Sequence, residues 1–277
     1  MKYPPKRSVR FPAHILVAML NDHNPALANQ TSGLGLSSNG NSGILGLAFP
    51  LIASIPLTSG TPVLDNLFAH LDDQHRFFAF KLGRNESRDA SYSDTSITFG
   101  GLDSLLANDT SQFVFTPVFV SSRGAYDFWK LPMQEIVINS QILPLSRSLI
   151  RGAPSPIAVL DTGTTLILGP TEDVDAFWNV VGSGGSTRFN QELQMWQVRC
   201  ERAVDVRITL GNSDNAREYP LHPEDVSWAE DRAQNGWCIG GIQANDAVRM
   251  VPNGTFVTFL MSFHRSPLET GFSGTCS

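Results

Sequence analysis

Apolar residues in this chain fall into short runs broken by Gly, Pro, Asn and Ser, and most runs have the length of a strand. Phe77-Phe78-Ala79-Phe80-Lys81-Leu82, Ile97-Thr98-Phe99, Phe113 to Val120, Phe128-Trp129-Lys130-Leu131 and Glu135-Ile136-Val137-Ile138-Asn139 all read as strands, the last closed by an Asn139-Ser140 turn. Ser42-Gly43-Ile44-Leu45-Gly46-Leu47-Ala48-Phe49-Pro50 reads as a buried strand with close backbone approach at Gly46. Asn190 to Leu210 is strand material again. Two stretches change period. Val63, Leu64, Leu67, Phe68 and Leu71 form one helical face opened by Pro62, and Val174, Phe177, Trp178 and Val181 form another. The second helix is expected over about 171–181, with Thr171 as its cap, Glu172 and Asp173 in its first turn, and Gly182 ending it. Short strands recurring about every ten residues predict an all-β architecture.

One stretch carries chemistry. Ala158-Val159-Leu160 delivers Asp161 into Thr162-Gly163-Thr164-Thr165, and Leu166-Ile167-Leu168 resumes the apolar run before Gly169-Pro170. Strand, tight loop, strand is the natural reading. Gly163 is expected to adopt a backbone conformation that a Cβ would forbid. Thr162, Thr164 and Thr165 supply hydroxyls that can tie down the loop and orient the carboxylate. The plain alternative is a hairpin turn with an incidental Asp.

Composition narrows the classes. The 277 residues are 42% hydrophobic and 17% charged, ordinary for a globular chain of one large or two medium domains. Net charge is −6, so there is no basic footprint for nucleic acid. No apolar run approaches a membrane span. Cys200, Cys238 and Cys276 form no CxxC, and the six His fall in no metal-ligand spacing, so no metal site is expected. Asn-X-Ser/Thr sequons at Asn29, Asn85, Asn108 and Asn253 hint at secretion. Lys2, Lys6, Arg7 and Arg10 precede Ala13 to Leu20, and Ala26-Leu27-Ala28 has a cleavage-site form, as in a signal peptide; Pro12 and His14 interrupt that apolar core.

The order hydrophobic-hydrophobic-Asp161-Thr162-Gly163-Thr164-Thr165-Leu166-hydrophobic-hydrophobic-Gly169-Pro170 resembles the second active-site loop of pepsin-like aspartic peptidases. Ile44-Leu45-Gly46-Leu47 is similar to the strand that crosses the catalytic loop in that family's first lobe, where Ile44 would line the substrate cleft. Phe99-Gly100-Gly101-Leu102-Asp103 is similar to a segment near the lobe junction. The resemblance implies a bilobal, all-β acid-protease fold, with a partial N-terminal lobe over 1–115 and a C-terminal lobe over 116–277. It also implies Asp161 as a catalytic residue, a Cys200–Cys238 disulfide with Cys276 left over, a peptide or protein substrate, no cofactor, a monomer, and a secreted or vacuolar location. The reading of the residues alone leaves Cys200 and Cys238 open as two buried thiols.

The departures matter as much. The family's mechanism needs two carboxylates about one water, one ionised and one protonated. This sequence holds a single Asp-Thr-Gly, and the only Asp before Ile44 is Asp22. Asp94, in Ser93-Asp94-Thr95-Ser96, lacks the glycine. No Tyr falls in a flap-like hairpin, and no Leu-Gly-Asp follows Asn245 to supply the second lobe's crossing strand. The expectation is an aspartic endopeptidase by descent, impaired or inactive in this chain. The alternatives are a non-catalytic peptide- or protein-binding relative, a two-fold pair of chains each giving Asp161, and an unrelated β-rich binding protein.

Overall fold

The structure is a computed structural model that describes residues 45–49, 51, 61–81, 96–102, 113–120, 124, 126–150, 152–246 and 257–259. Helix α1 (Val63–Ala69) forms where the sequence predicts it, starting after Pro62 and burying Leu64 and Leu67. Strands β1 (Phe78–Lys81) and β2 (Ser96–Phe99) pair antiparallel, with Phe78 opposite Phe99. Gly100 then turns the chain at a φ of 67°.

Two sequence runs merge into one strand. The expected strands 128–131 and 135–139 are a single β3 (Lys130–Ile138), and its register shifts between Met133 and Glu135. Lys130–Pro132 pair with β5 (Ile157–Leu160), and Met133–Ile138 pair with β9 (Val206–Leu210) on both sides of the shift. Pro132 cannot donate to a ladder, and the irregularity follows it, within the pairing to β9. Asn139 and Ser140 both take positive φ, 47° and 69°, the form of a two-residue hairpin turn, and lead into β4 (Gln141–Leu143).

Two expected strands do not form ladders. Phe113 to Val120 has no strand pairing: Pro117 lacks a donor, and Phe119 N–H gives its hydrogen bond to the Lys130 carbonyl at 2.7 Å. Residues 45–49 are irregular as well. Their hydrogen bonds go across to the start of β3, with Phe49 N–H on the Asp127 carbonyl and the Leu47 carbonyl accepting from Trp129 Nε1 at 2.8 Å. Phe49 packs on Trp129, ring centroids 4.3 Å apart, which ties this segment to β3.

Among the described residues the large sheet runs β10 (Arg217–Pro220), β9, β3, β5, β14 (Val257–Phe259), β6 (Ile167–Gly169), β13 (Ile242–Ala244), with β4 beside β3. A second sheet runs β11 (Ser227–Glu230), β12 (Trp237–Gly240), β8 (Met195–Arg199), β7 (Thr187–Asn190). Helix α2 (Thr171–Val181) buries the predicted stripe Val174, Phe177, Trp178 and Val181 in the core. Trp178 is fully buried, and its indole N–H is satisfied by the Ile242 carbonyl at 2.8 Å. The indole lies so close to Gly240 that a Cβ there would enter the ring. A short α3 (Pro223–Val226) precedes β11. The fold is the mostly β, pepsin-like architecture that the sequence implies.

Candidate active site

Asp161 sits directly after β5, in the exposed loop between β5 and β6. Buried Ile157, Ala158 and Val159 anchor the strand beneath it. Its last rung is held by Leu160 N–H on the Trp129 carbonyl at 2.9 Å. The loop then folds back onto its own carboxylate: Gly163 N–H donates to Oδ1 at 2.8 Å and Thr164 Oγ1 donates to Oδ2 at 2.6 Å. Both oxygens are thereby oriented, and the group still faces solvent.

The expected role of Gly163 needs correction. It does not take positive φ; what matters is proximity, because a Cβ there would stand 3.1 Å from Asp161 Oδ1. Thr162 and Thr165 are exposed, and of the three loop threonines Thr164 alone hydrogen-bonds the carboxylate. Ile44 lies outside the described residues, as do Asp22, Asp94 and Cys276.

The sequence lacks Leu-Gly-Asp, yet the position it should fill is occupied. β14 lies between β5 and β6, parallel to β5 with Thr258 opposite Val159, and antiparallel to β6 with Thr258 opposite Leu168. The expectation that the loop has no crossing strand is corrected by this backbone pairing. β13 supports the far side, parallel to β6, and Ile167 N–H bonds the Gly241 carbonyl at 2.9 Å. Gly241 itself passes so near the Asp225 carbonyl that no Cβ fits.

Two features here escape sequence reading. Asp127 and Lys130 form an ion pair at 2.6 Å with side chains only 4% and 1% exposed. Asp127 also accepts from Phe128 N–H at 2.7 Å, and Lys130 stands opposite Val159 on the strand that carries Asp161. Asp246 caps α2 from a distance, accepting from Thr171 N–H and Thr171 Oγ1. Thr171 is thus a donor to a cap and not the cap itself; Pro170 holds the N-cap position. In the smaller sheet Cys200 and Cys238 are joined, their Cα atoms 5.0 Å apart. Among the described residues no cluster of His, Cys, Asp and Glu is placed to hold a metal, and no helix is long and apolar enough to cross a membrane.

A β-rich fold in which a third strand lies between the two strands that flank Asp-Thr-Gly defines a pepsin-like architecture. The family model of eukaryotic aspartyl protease matches residues 15–264, and this chain belongs to that family. It is 23% identical to major aspartyl peptidase 1 of Cryptococcus neoformans var. grubii, over 89% of this chain and 51% of that protein. Embryonic pepsinogen of Gallus gallus is 26% identical over 94% of this chain and 60% of its own length, and cathepsin D of Bos taurus 27% over 74% and 46%. The chain spans about half the length of the curated relatives it matches.

Proposed function

We propose that this chain binds peptide or protein substrates as an aspartic endopeptidase does, with Asp161 as one of the two carboxylates that activate water. We further propose that the 277 residues alone do not reach a pepsin-like rate. The observation that carries both statements is the state of the Asp161 carboxylate. It is exposed and oriented by Gly163 and Thr164, and among the described residues it shares no bond with a second carboxylate.

The chemistry explains the division. An ionised carboxylate takes the proton of a bound water while a protonated partner polarises the scissile carbonyl. Two such groups held together share one proton because both cannot ionise cheaply. One carboxylate supplies the base and leaves the carbonyl without its acid. The same observation supports the second reading, a peptide-binding chain without turnover, in which the loop lines a cleft.

The test is hydrolysis of a broad peptide library between about pH 3 and 6 by the 277-residue protein and by its Asp161→Asn variant. Slow or absent cleavage, with saturable peptide binding, is expected for both proteins. Rapid cleavage abolished in Asp161→Asn would show that a second carboxylate is in place and would overturn the impaired reading. Absence of both binding and cleavage would overturn the peptide-directed reading altogether.

A further inference from the structure

We propose that the outer face of the four-stranded sheet, where Arg188 and Arg199 meet the Trp237 ring, binds an acidic peptide segment in extended conformation. Alternation along β8 places the site. Trp196 stacks on Trp178 of α2, and Val198 lies in the core, so Gln197 and Arg199 face the opposite side. Trp237 stands opposite Arg199 on β12, and Arg188 opposite Gln197 on β7, which puts all four on that outer face.

The arginines are arranged as a pair. Their guanidinium carbons lie 3.9 and 4.2 Å from the centroid of the same Trp237 ring. Arg188 is fixed: its Nε donates to Gln197 Oε1 at 2.9 Å, and its Nη2 bonds Gln234 Oε1. Gln197 is itself fully buried and anchored through Nε2 to Asp231 at 2.7 Å. Arg199 is exposed, and a Cβ on the neighbouring Gly236 would come within 3.5 Å of its Nη1. Among the described residues neither guanidinium has a carboxylate within ion-pair distance, whereas Arg76 and Arg207 do.

Two guanidinium groups with no ion-pair partner among the described residues, one of them held in place, flank a single indole ring and offer a site for an anionic counterpart. A small ion would have to be shared by two cations, one of which is held in place by two glutamines. An extended peptide meets both without rearrangement. Its residues i and i+2 lie on one side about 6.6 Å apart, so two carboxylates can address the two arginines that flank the indole. The site is on a different sheet from Asp161, and its occupancy does not depend on hydrolysis.

The experiment is calorimetric titration of the 277-residue protein with a short Gly/Ser peptide carrying Glu-Gly-Glu, beside the same peptide with Gln-Gly-Gln. The Glu peptide should bind, weaken as salt rises, and bind about tenfold or more weakly to the Arg199→Met variant. Arg199 makes no side-chain hydrogen bond within the described fold, and methionine keeps an apolar side chain against Trp237, so unchanged circular dichroism is the expected control for this variant. Arg188→Met should act in the same direction. Equal binding of the two peptides, full retention in Arg199→Met, binding of inorganic phosphate without the Glu peptide, or no binding at all would each overturn the proposal.

Discussion

Thr171 and Asp246, 75 residues apart, meet at the first turn of α2: Thr171 N–H reaches Asp246 Oδ1 at 3.1 Å, and Thr171 Oγ1 reaches Oδ2 at 2.6 Å. The carboxylate satisfies a backbone donor that the helix cannot satisfy itself, and it sits at the positive end of the helix dipole. Pro170 at the N-cap position offers no side-chain acceptor, so Asp246 supplies what the local sequence lacks.

Replacing Asp246 by Ala should therefore cost about 1–2 kcal/mol, in the range of an N-cap deletion. Urea denaturation of the wild type and the variant checks this. A midpoint unchanged within error would show that water caps the helix as well.

The Asp127–Lys130 pair sets a larger penalty. Both side chains are buried, so Asp127→Ala alone should destabilise by about 3–5 kcal/mol through the uncompensated lysine charge. The double variant Asp127→Ala/Lys130→Met removes that charge and should recover much of the loss. A double-mutant cycle measured by chemical denaturation gives the coupling; purely additive losses would contradict it.

The bridge between Cys200 and Cys238 closes a loop of sequence separation 38. In the chain-entropy account such a closure contributes about 3–4 kcal/mol. Cys200→Ala/Cys238→Ala should lower the denaturation midpoint accordingly. Peptide mapping without reductant should recover the two cysteines joined, and recovery of both as free thiols from oxidised material would count against it.

Asp72 carries a pH dependence with a definite sign. The hydrogen bond from His75, 2.6 Å from Asp72 Oδ1, holds this carboxyl below its ordinary 3.8. A depressed carboxyl contributes stability that is complete above 3.8 and is lost as pH falls through the folded value. The turn Asp73–His75, which Asp72 caps through His75 N–H, should loosen in that window. Amide exchange at His75 measured down to strongly acid pH reports it, and Asp72→Asn should show no such transition.

How much of this was legible in the sequence depended on whether a signal was local. The stripe of Val174, Phe177, Trp178 and Val181 located α2, though not its cap, because every position needed for a helical face lies within three turns. The Asn139-Ser140 turn was readable for the same reason. Phe113 to Val120 has strand composition, but a strand needs a partner, and composition says nothing about which neighbour is free to pair. The runs 128–131 and 135–139 read as two strands, whereas the structure joins them in one strand with a shifted register. The Asp161 loop was legible as a motif. The contacts around it were not: the Asp246 cap on α2, the Asp127–Lys130 pair and the β14 pairing join residues that no motif singles out.

The placing of β14 between β5 and β6 has a consequence for synthesis on the ribosome. Val257 lies opposite Ala158, so the rail that stiffens the Asp161 loop is translated about a hundred residues after the strand it grips. At ordinary elongation rates that is a delay of roughly 5–20 s. During that interval β5 and β6 are two arms with no centre. The carboxylate is made early and its setting late, so the loop cannot take its final form until β14 has followed it off the ribosome.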